Sequence, residues 1–165
     1  TITNIMKEII PSFKDKDYEV LFVTGKNYFD SYKCVKIPDN VKLVPNLTDM
    51  LSVLKKTDLI VTRAGASTIA EITAVGVPSI MIPSPYVTHN HQEKNACVLE
   101  ENNCSVVIKE KELTKDSLIS NIDLLLSDNK KLSNMKKNSK KLGVTDSATK
   151  IVEIIGNLVS GDKYE

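Results

Sequence analysis

Two short segments of the sequence combine residue types that could hold a phosphorylated or polyhydroxylated ligand. The first is residues 62–68, in which Gly65 lies between two alanines and is followed by hydroxyl side chains. Small residues let the backbone approach a ligand closely, and the N–H groups at the start of a helix favour a phosphate. A tight turn selected only for its steric properties explains the same residues, so both interpretations stay open.

Glu71 lies three residues after Thr68, which places both side chains on one face of a predicted helix. A carboxylate there could accept hydrogen bonds from both hydroxyls of a ribose. The alternative is an acidic residue in the first turn of the helix, where the helix dipole favours negative charge.

The second segment, residues 83–92, is dense in hydrogen-bonding side chains and contains both histidines, His89 and His91. These histidines lack an adjacent Cys or Asp ligand and the i, i+4 spacing of a helical zinc pair, so we predict no metal site. Asn90, His91 and Gln92 suit a neutral polyol such as a sugar, because amides and imidazole both donate and accept hydrogen bonds. The alternative is a loop that only caps the following helix through Asn90.

Both segments follow short β-branched runs that alternate with amphipathic stretches, a rhythm typical of parallel βα units. The sequence therefore predicts an α/β fold. Five strands are predicted, at residues 18–24, 41–44, 58–62, 79–82 and 105–108. Helices are predicted near residues 2–10, 27–33, 48–56, 67–75, 91–101, 114–126, 129–141 and 146–159. Ligands collect at the carboxyl ends of such strands, where both segments lie.

The C-terminal part of the chain, about residues 113–160, is predicted to be helical within a single domain of residues 1–165. Residues 130–141 hold six lysines, and Leu132, Met135 and Leu142 recur at helical spacing. This pattern predicts a solvated face with an apolar seam. Contact of the lysines with anionic lipid head groups is the alternative.

Composition excludes several classes of protein. The chain has 165 residues, of which 41% are hydrophobic and 26% charged, as in soluble globular domains. The chain has 22 basic and 21 acidic residues, so its formal net charge is only +1. This net charge supplies no overall positive field that would attract nucleic acid, so we predict no nucleic-acid partner. Three cysteines without a CxxC pair favour the cytoplasm. We expect no membrane span, because no apolar run approaches about 20 residues. We also expect no secretion signal, because the first residues, TITNIMKEII, lack a basic region followed by a small-residue cleavage site.

The sequence of residues 58–96 closely resembles the donor-binding region of the MurG family of bacterial glycosyltransferases: DLIVTRAGASTIAEITAVGVPSIMIPSPYVTHNHQEKNA. The similarity includes both segments and the helix between them, and weaker similarity extends over the rest of the chain. The family adds N-acetylglucosamine to lipid I, the undecaprenyl-linked muramyl-pentapeptide of peptidoglycan synthesis. The resemblance implies the nucleotide-sugar-binding C-terminal domain of a two-domain GT-B enzyme, with a Rossmann-like parallel sheet covered by helices on both faces.

The resemblance implies a role in binding UDP-N-acetylglucosamine for ten residues. Uracil binding is implied for the backbone of Leu47, with Met50 beside it, and ribose binding is implied for Glu71. Contact with the diphosphate is implied for the backbone around Ala66, Ser67 and Thr68, and Arg63 and Gly65 are implied to shape that turn. The residues implied at the sugar are His91 and Gln92, where the family often has two glutamines. Asn95 completes the matched motif, and support of the loop is its alternative role.

The resemblance also implies an inverting displacement, in which the muramyl 4-hydroxyl attacks the anomeric carbon of the donor without a cofactor or metal. Members of the family carry the general base and the lipid I contacts in an N-terminal domain that is missing here. We therefore expect no catalytic residue in this chain and no sugar transfer by the chain alone. The complete enzyme is expected to be peripheral on the cytoplasmic face of the membrane.

Family members have an additional strand before the segment that matches residues 1–10. In the 3-2-1-4-5-6 order it would lie between the strands at 18–24 and 58–62. We therefore expect two unpaired strand edges or a new pairing, and self-association through exposed edges is our hypothesis. Two other functions stay open, a non-catalytic UDP-sugar-binding subunit of a split glycosyltransferase and a UDP-sugar epimerase-like domain.

Overall fold

The computed structural model describes residues 2–160; Thr1 and residues 161–165 of the predicted domain lie outside the described residues. Short parallel strands alternate with helices along the chain. The strands are β1 (Val20–Val23), β2 (Val41–Val44), β3 (Ile60–Thr62), β4 (Ser79–Met81) and β5 (Ser105–Val107). The helices are α1 (Ile2–Ile9), α2 (Lys26–Phe29), α3 (Met50–Leu54), α4 (Ala66–Val75), α5 (His91–Glu101), α6 (Lys115–Ser127), α7 (Asn129–Leu142) and α8 (Ser147–Ser160).

The strands form two parallel sheets instead of one continuous sheet. β1 pairs with β2, and the second sheet has the order β3-β4-β5. Among residues 2–160, no strand pairing joins β1 to β3. The break therefore lies where the resemblance implies an additional strand, and the structure shows unpaired edges and not a new pairing.

Alternation along the strands directs side chains to two faces, as the pleat of a β-strand requires. On β4 and just after it, Ile80 and Ile82 enter a core cluster that includes residues of α1 and α6. Met81 points to the other face and packs in a cluster with residues of α4 and α5. Helices therefore cover both faces, which confirms the predicted α/β class.

Helix α4 begins at Ala66, one residue before the predicted start. It ends at Val75, as predicted, and Gly76 follows it directly. Gly76 adopts φ +81° and ψ +48°, a left-handed conformation that glycine adopts without a Cβ penalty. The N–H groups of Gly76 and Val77 both donate to the carbonyl of Ile72. Ile72 is fully buried, and its predicted neighbours on the stripe, Ile69 and Val75, are half-buried.

The two C-terminal helices differ in how they pack. On α7, Met135 and Ser139 are buried while all six lysines are exposed, which confirms the predicted solvated face with an apolar seam. On α8, every side chain from residue 147 to 159 is exposed, including Ile151 and Leu158. Within residues 2–160, no helix combines the length and the apolar character that crossing a membrane requires.

Candidate functional site

Three loops meet at the carboxyl ends of the three-stranded sheet. The parallel register aligns Thr62 with Met81, and Met81 with Val107, so β3, β4 and β5 end side by side. The loops that follow them are residues 63–65, 82–90 and 108–114. Residues distant in the sequence are therefore brought together at the edge where open parallel sheets bind ligands.

The loop between β3 and α4 is held by side chains from two neighbouring elements. Nη1 of Arg63 donates to the carbonyl of Ile82 at 3.1 Å and forms an ion pair with Oε2 of Glu110 at 2.5 Å. Nδ2 of Asn95, on α5, donates to the carbonyl of Ala64 at 3.2 Å. Asn95 thus supports the loop, and Arg63 points toward the ends of β4 and β5.

The N-terminus of α4 has no side-chain cap. Gly65 occupies the N-cap position, and its carbonyl accepts from the N–H of Ile69 at 2.9 Å. The N–H groups of Ala66, Ser67 and Thr68 therefore lack an acceptor within the helix. Three such donors together with the helix dipole suit a phosphate or diphosphate.

Glu71 lies beyond the first turn of α4, and the first turn itself contains no acidic residue. The effect of the helix dipole decreases within the first turn, so it does not explain this carboxylate. The side chain of Glu71 is exposed and makes no hydrogen bond or ion pair with any residue between 2 and 160. Its oxygens are available to a ligand that approaches the same helix.

Gln92 and His91 begin helix α5, and each contacts the loop that precedes it. The N–H of Ser84 donates to Oε1 of Gln92 at 2.9 Å. Nδ1 of His91 lies 2.9 Å from the carbonyl oxygen of Thr88. Because a carbonyl only accepts, Nδ1 carries the proton and Nε2 of the neutral ring is an acceptor. The pair therefore presents an amide donor and an imidazole acceptor, which suits sugar hydroxyls.

The loop before α5 contains two consecutive residues in the left-handed region, His89 at φ +54° and Asn90 at φ +53°. Asn90 occupies the N-cap position of α5, but its side chain donates to the carboxylate of Glu93 and makes no capping hydrogen bond to the helix backbone. This hydrogen bond, together with the Lys109 ion pair at 3.2 Å, lowers the pKa of Glu93. Strained non-glycine backbone of this kind is concentrated at binding sites.

The segment predicted to contact uracil lies between β2 and α3. Leu47 is half-buried, and Met50 is the first residue of α3, with an exposed side chain. Asp49, which the sequence interpretation did not single out, caps this helix by accepting from the N–H of Ser52 at 3.0 Å. Hydrogen bonds with the side chain and then the backbone N–H of Ser52 lower the pKa of Asp49. Helix α3 packs against α4, so the structure brings this segment beside the helix that carries Glu71.

Two concave regions lie outside the ten predicted residues. A cavity of about 270 Å³ separates the loops after β4 and β5 and is lined by Pro83, Ser84, Pro85, Asn90, Glu93, Lys109, Glu110 and Lys111. A wider groove of about 1040 Å³ lies along α7, where Lys130, Lys137 and Lys141 are among its lining residues. Residues 2–160 contain no group of three or more His, Cys, Asp or Glu side chains suited to a metal ion.

The family profile of the glycosyltransferase family 28 C-terminal domain matches residues 1–151. The chain belongs to this family. The matched region of this family 28 domain includes all ten predicted site residues.

Similar curated proteins are about twice as long as this family 28 domain. The chain is 44% identical over 164 residues to a Bacillus cytotoxicus protein named UDP-N-acetylglucosamine--N-acetylmuramyl-(pentapeptide) pyrophosphoryl-undecaprenol N-acetylglucosamine transferase. A protein of the same name from Listeria monocytogenes serotype 4b is 42% identical over 158 residues. The matches cover 96% and 93% of this chain but only 44% of each relative.

Solved structures support the same fold. The crystal structure of Acinetobacter baumannii MurG matches 93% of this chain and 46% of its own, with a TM-score of 0.80 at 20% identity. The glycosyltransferase VinC, solved in complex with DTDP, matches 90% of this chain and 37% of its own, with a TM-score of 0.70 at 19% identity. The family 28 domain therefore has the fold of the corresponding part of these glycosyltransferases.

Besides Asp49, the sequence interpretation missed Glu110. It lies three residues after the end of β5, and its side chain is only 8% exposed. A charged residue shortly after a buried strand was the available signal, but four charged residues follow one another at 109–112. Only the structure shows which of the four turns inward.

Proposed function

We propose that this family 28 domain binds UDP-N-acetylglucosamine and supplies the donor half of the transferase that converts lipid I to lipid II. The observation that carries the proposal lies on helix α4: three uncapped N–H groups occur together with the carboxylate of Glu71, which has no partner among residues 2–160. The names of the relatives, which cover 96% and 93% of the chain, support this choice of donor and acceptor.

Each part of the donor has a proposed partner in the domain. The diphosphate binds the N–H groups of residues 66–68, and Arg63 and Gly65 shape that turn. The ribose hydroxyls donate to Glu71, and uracil contacts the segment that contains Leu47 and Met50. The sugar binds His91 and Gln92 at the start of α5.

The domain's chemical contribution is to stabilise the leaving group. When the 4-hydroxyl of the acceptor attacks the anomeric carbon, negative charge accumulates on the departing UDP. The N-terminus of α4 is fixed in advance and stabilises that charge without reorganisation. We assign no general base to residues of this chain, and we expect the chain alone to bind donor without transferring it. The acceptor would be met by another part of the enzyme, at the cytoplasmic membrane surface.

Calorimetric titration with UDP-N-acetylglucosamine, UDP-glucose and UDP tests the proposal. We expect the N-acetylglucosamine donor to bind most tightly. The Glu71→Ala variant should bind about 10-fold to 100-fold more weakly, because a hydrogen bond to a charged group contributes about 1.5–3 kcal/mol. Glu153→Ala, which removes an exposed carboxylate on α8, is the matched control and should bind like the wild type.

Three outcomes would each contradict part of the proposal. A folded wild-type chain that binds none of the three ligands would show that residues 1–165 do not form a donor site. Equal weakening by Glu71→Ala and Glu153→Ala would remove Glu71 from the site. Rapid release of UDP by the chain in the presence of lipid I would contradict the expected lack of transfer.

A further inference from the structure

We infer that Glu110 is a positioning residue for the donor site and acts through Arg63 on the loop that leads into α4. The inference rests on the proposed function, because the loop in question precedes the N–H groups assigned to the diphosphate. Glu110 itself lies on the loop after β5 and is not one of the ten residues assigned to the ligand.

Arg63 connects the ends of all three strands of the second sheet. It is the first residue after β3, and its Nη1 atom reaches the carbonyl of Ile82, the first residue after β4. The same atom contacts Glu110, on the loop after β5. Nη1 carries two hydrogens, so it can satisfy both oxygens at once. One guanidinium thus fixes the relative positions of three loops.

The burial of the pair indicates that it is a fixed contact. The Glu110 side chain is 8% exposed and that of Arg63 is 31% exposed, whereas the surface pair of Lys33 and Asp30 is 73% and 79% exposed. Removing the carboxylate of Glu110 takes the counter-ion away from a guanidinium that is about two-thirds buried, which is unfavourable. The carboxylate of Glu110 therefore holds the guanidinium at this position.

The direction of Arg63 distinguishes positioning from direct binding. A free guanidinium beside an uncapped helix N-terminus would be a ready ligand for a diphosphate. Glu110 neutralises Arg63 and draws it toward β4 and β5. The phosphate-binding groups that remain are the backbone N–H groups of residues 66–68. Their placement depends on the loop that Arg63 and Asn95 hold.

A double-mutant cycle tests the inference. Glu110→Gln, Arg63→Gln and the double variant are titrated with UDP by calorimetry, and circular dichroism melting monitors the fold. Each single variant should bind UDP about tenfold more weakly, because small misplacements of binding groups are costly. If Glu110 acts through Arg63, the double variant should bind like either single variant.

The matched control is Glu112→Gln, which changes the same residue type two positions away. Glu112 is 60% exposed and lies 3.8 Å from Lys111 in a surface pair. We expect the Glu112→Gln variant to bind UDP with the affinity of the wild type. The inference is overturned if Glu110→Gln binds UDP as tightly as the wild type or more tightly. It is also overturned if the double variant loses affinity by the product of the losses in the two single variants.

A second measurement separates this inference from the proposed function. If the folded wild-type chain does not bind UDP, the proposed function fails, but Glu110 can still be tested without ligand. Backbone ¹⁵N order parameters of residues 64–68 should then decrease in Glu110→Gln and not in Glu112→Gln. Unchanged order parameters overturn the inference. If Glu110→Gln does not fold, Glu110→Asp, which retains the charge on a shorter side chain, replaces it in both measurements.

Discussion

Arg63 lies on the loop after β3, and Asn95 and Gln92 both lie on α5; each of the three binds a backbone group of a neighbouring loop. Glu71 has no partner among the described residues. This contrast separates two kinds of residue within one sequence motif. Side chains that hold loops contribute to the shape of the site, whereas a side chain without a partner is available for a ligand.

Tyr18 provides a prediction about alkaline stability. Its hydroxyl donates to Oδ1 of Asp123 at 2.9 Å, and Lys16 forms an ion pair with the other carboxylate oxygen. Burial, and then the hydrogen bond to Asp123, raise the pKa of Tyr18 above its ordinary value of 10.0. The stabilisation of the folded state that comes from this raised pKa is complete below pH 10.0, the ordinary pKa of tyrosine. It is lost as the pH rises through the pKa of Tyr18 in the folded state.

Urea unfolding of the wild type and Tyr18→Phe at pH 8 and at about pH 11 checks this prediction. At pH 8 the variant should be less stable by about 1 kcal/mol, the usual contribution of one hydrogen bond. At the higher pH the difference should shrink, because only the wild type has this phenol to ionise on unfolding. If the difference in stability between the wild type and Tyr18→Phe were the same at both pH values, the raised pKa of Tyr18 would be contradicted.

At the scale of elements, glycines allow α4 and the end of α7 to approach closely. A Cβ on Gly143, directly after α7, would lie 2.5 Å from the carbonyl oxygen of Thr73 on α4. A Cβ on Gly76 would lie 3.0 Å from the carbonyl oxygen of Lys136, in addition to the positive φ at that position. The contact between these two helices therefore requires the absence of side chains at both positions.

Gly143→Ala should lower the free energy of unfolding by about 1–3 kcal/mol, since the Cβ meets backbone that cannot move independently. Urea unfolding measures the change. Gly156→Ala is the matched control, because a Cβ there meets nothing within 4 Å, and it should lie within about 0.5 kcal/mol of the wild type. Equal destabilisation by both substitutions would show that the close helix contact is not its cause.

Element boundaries show where sequence patterns succeed and where local chemistry overrides them. The strand at Val41–Val44 has its predicted bounds, because four consecutive residues suit a strand and turn residues precede them. The helix predicted near residues 27–33 is instead a short α2 followed by a 3₁₀-helix at Asp30–Tyr32. The helix predicted near 2–10 likewise changes to a 3₁₀-helix at Ile10–Phe13, where Pro11 lacks the N–H that an α-helix interior requires.

At the scale of the whole molecule, α8 adds no buried side chain to the core between residues 147 and 159. Ile151, Ile154, Ile155 and Leu158 recur at helical spacing, yet each is at least 44% exposed. A chain that ends after residue 146 should therefore melt within about 2 °C of the full chain. Circular dichroism melting measures this, and a large loss of stability would show that α8 supports the core.

Sedimentation velocity of the same two chains tests the hypothesis of self-association through sheet edges. The shortened chain retains the unpaired edges of β1 and β3 but lacks the apolar stripe of α8. Association that persists in the shortened chain would support the hypothesis. Association confined to the full chain, or a monomer in both cases, would contradict it.

The sequence by itself determined the α/β class, the approximate positions of the strands and most helices, and the two loops of the candidate site. These features depend on periodicity and on turn residues, which act over a few neighbouring positions. Only the tertiary structure decided that the strands form two sheets, that Nε2 of His91 is an acceptor and that Arg63 pairs with Glu110. Arg63 and Glu110 are 47 residues apart, and contacts of that range form only when the strands pack side by side.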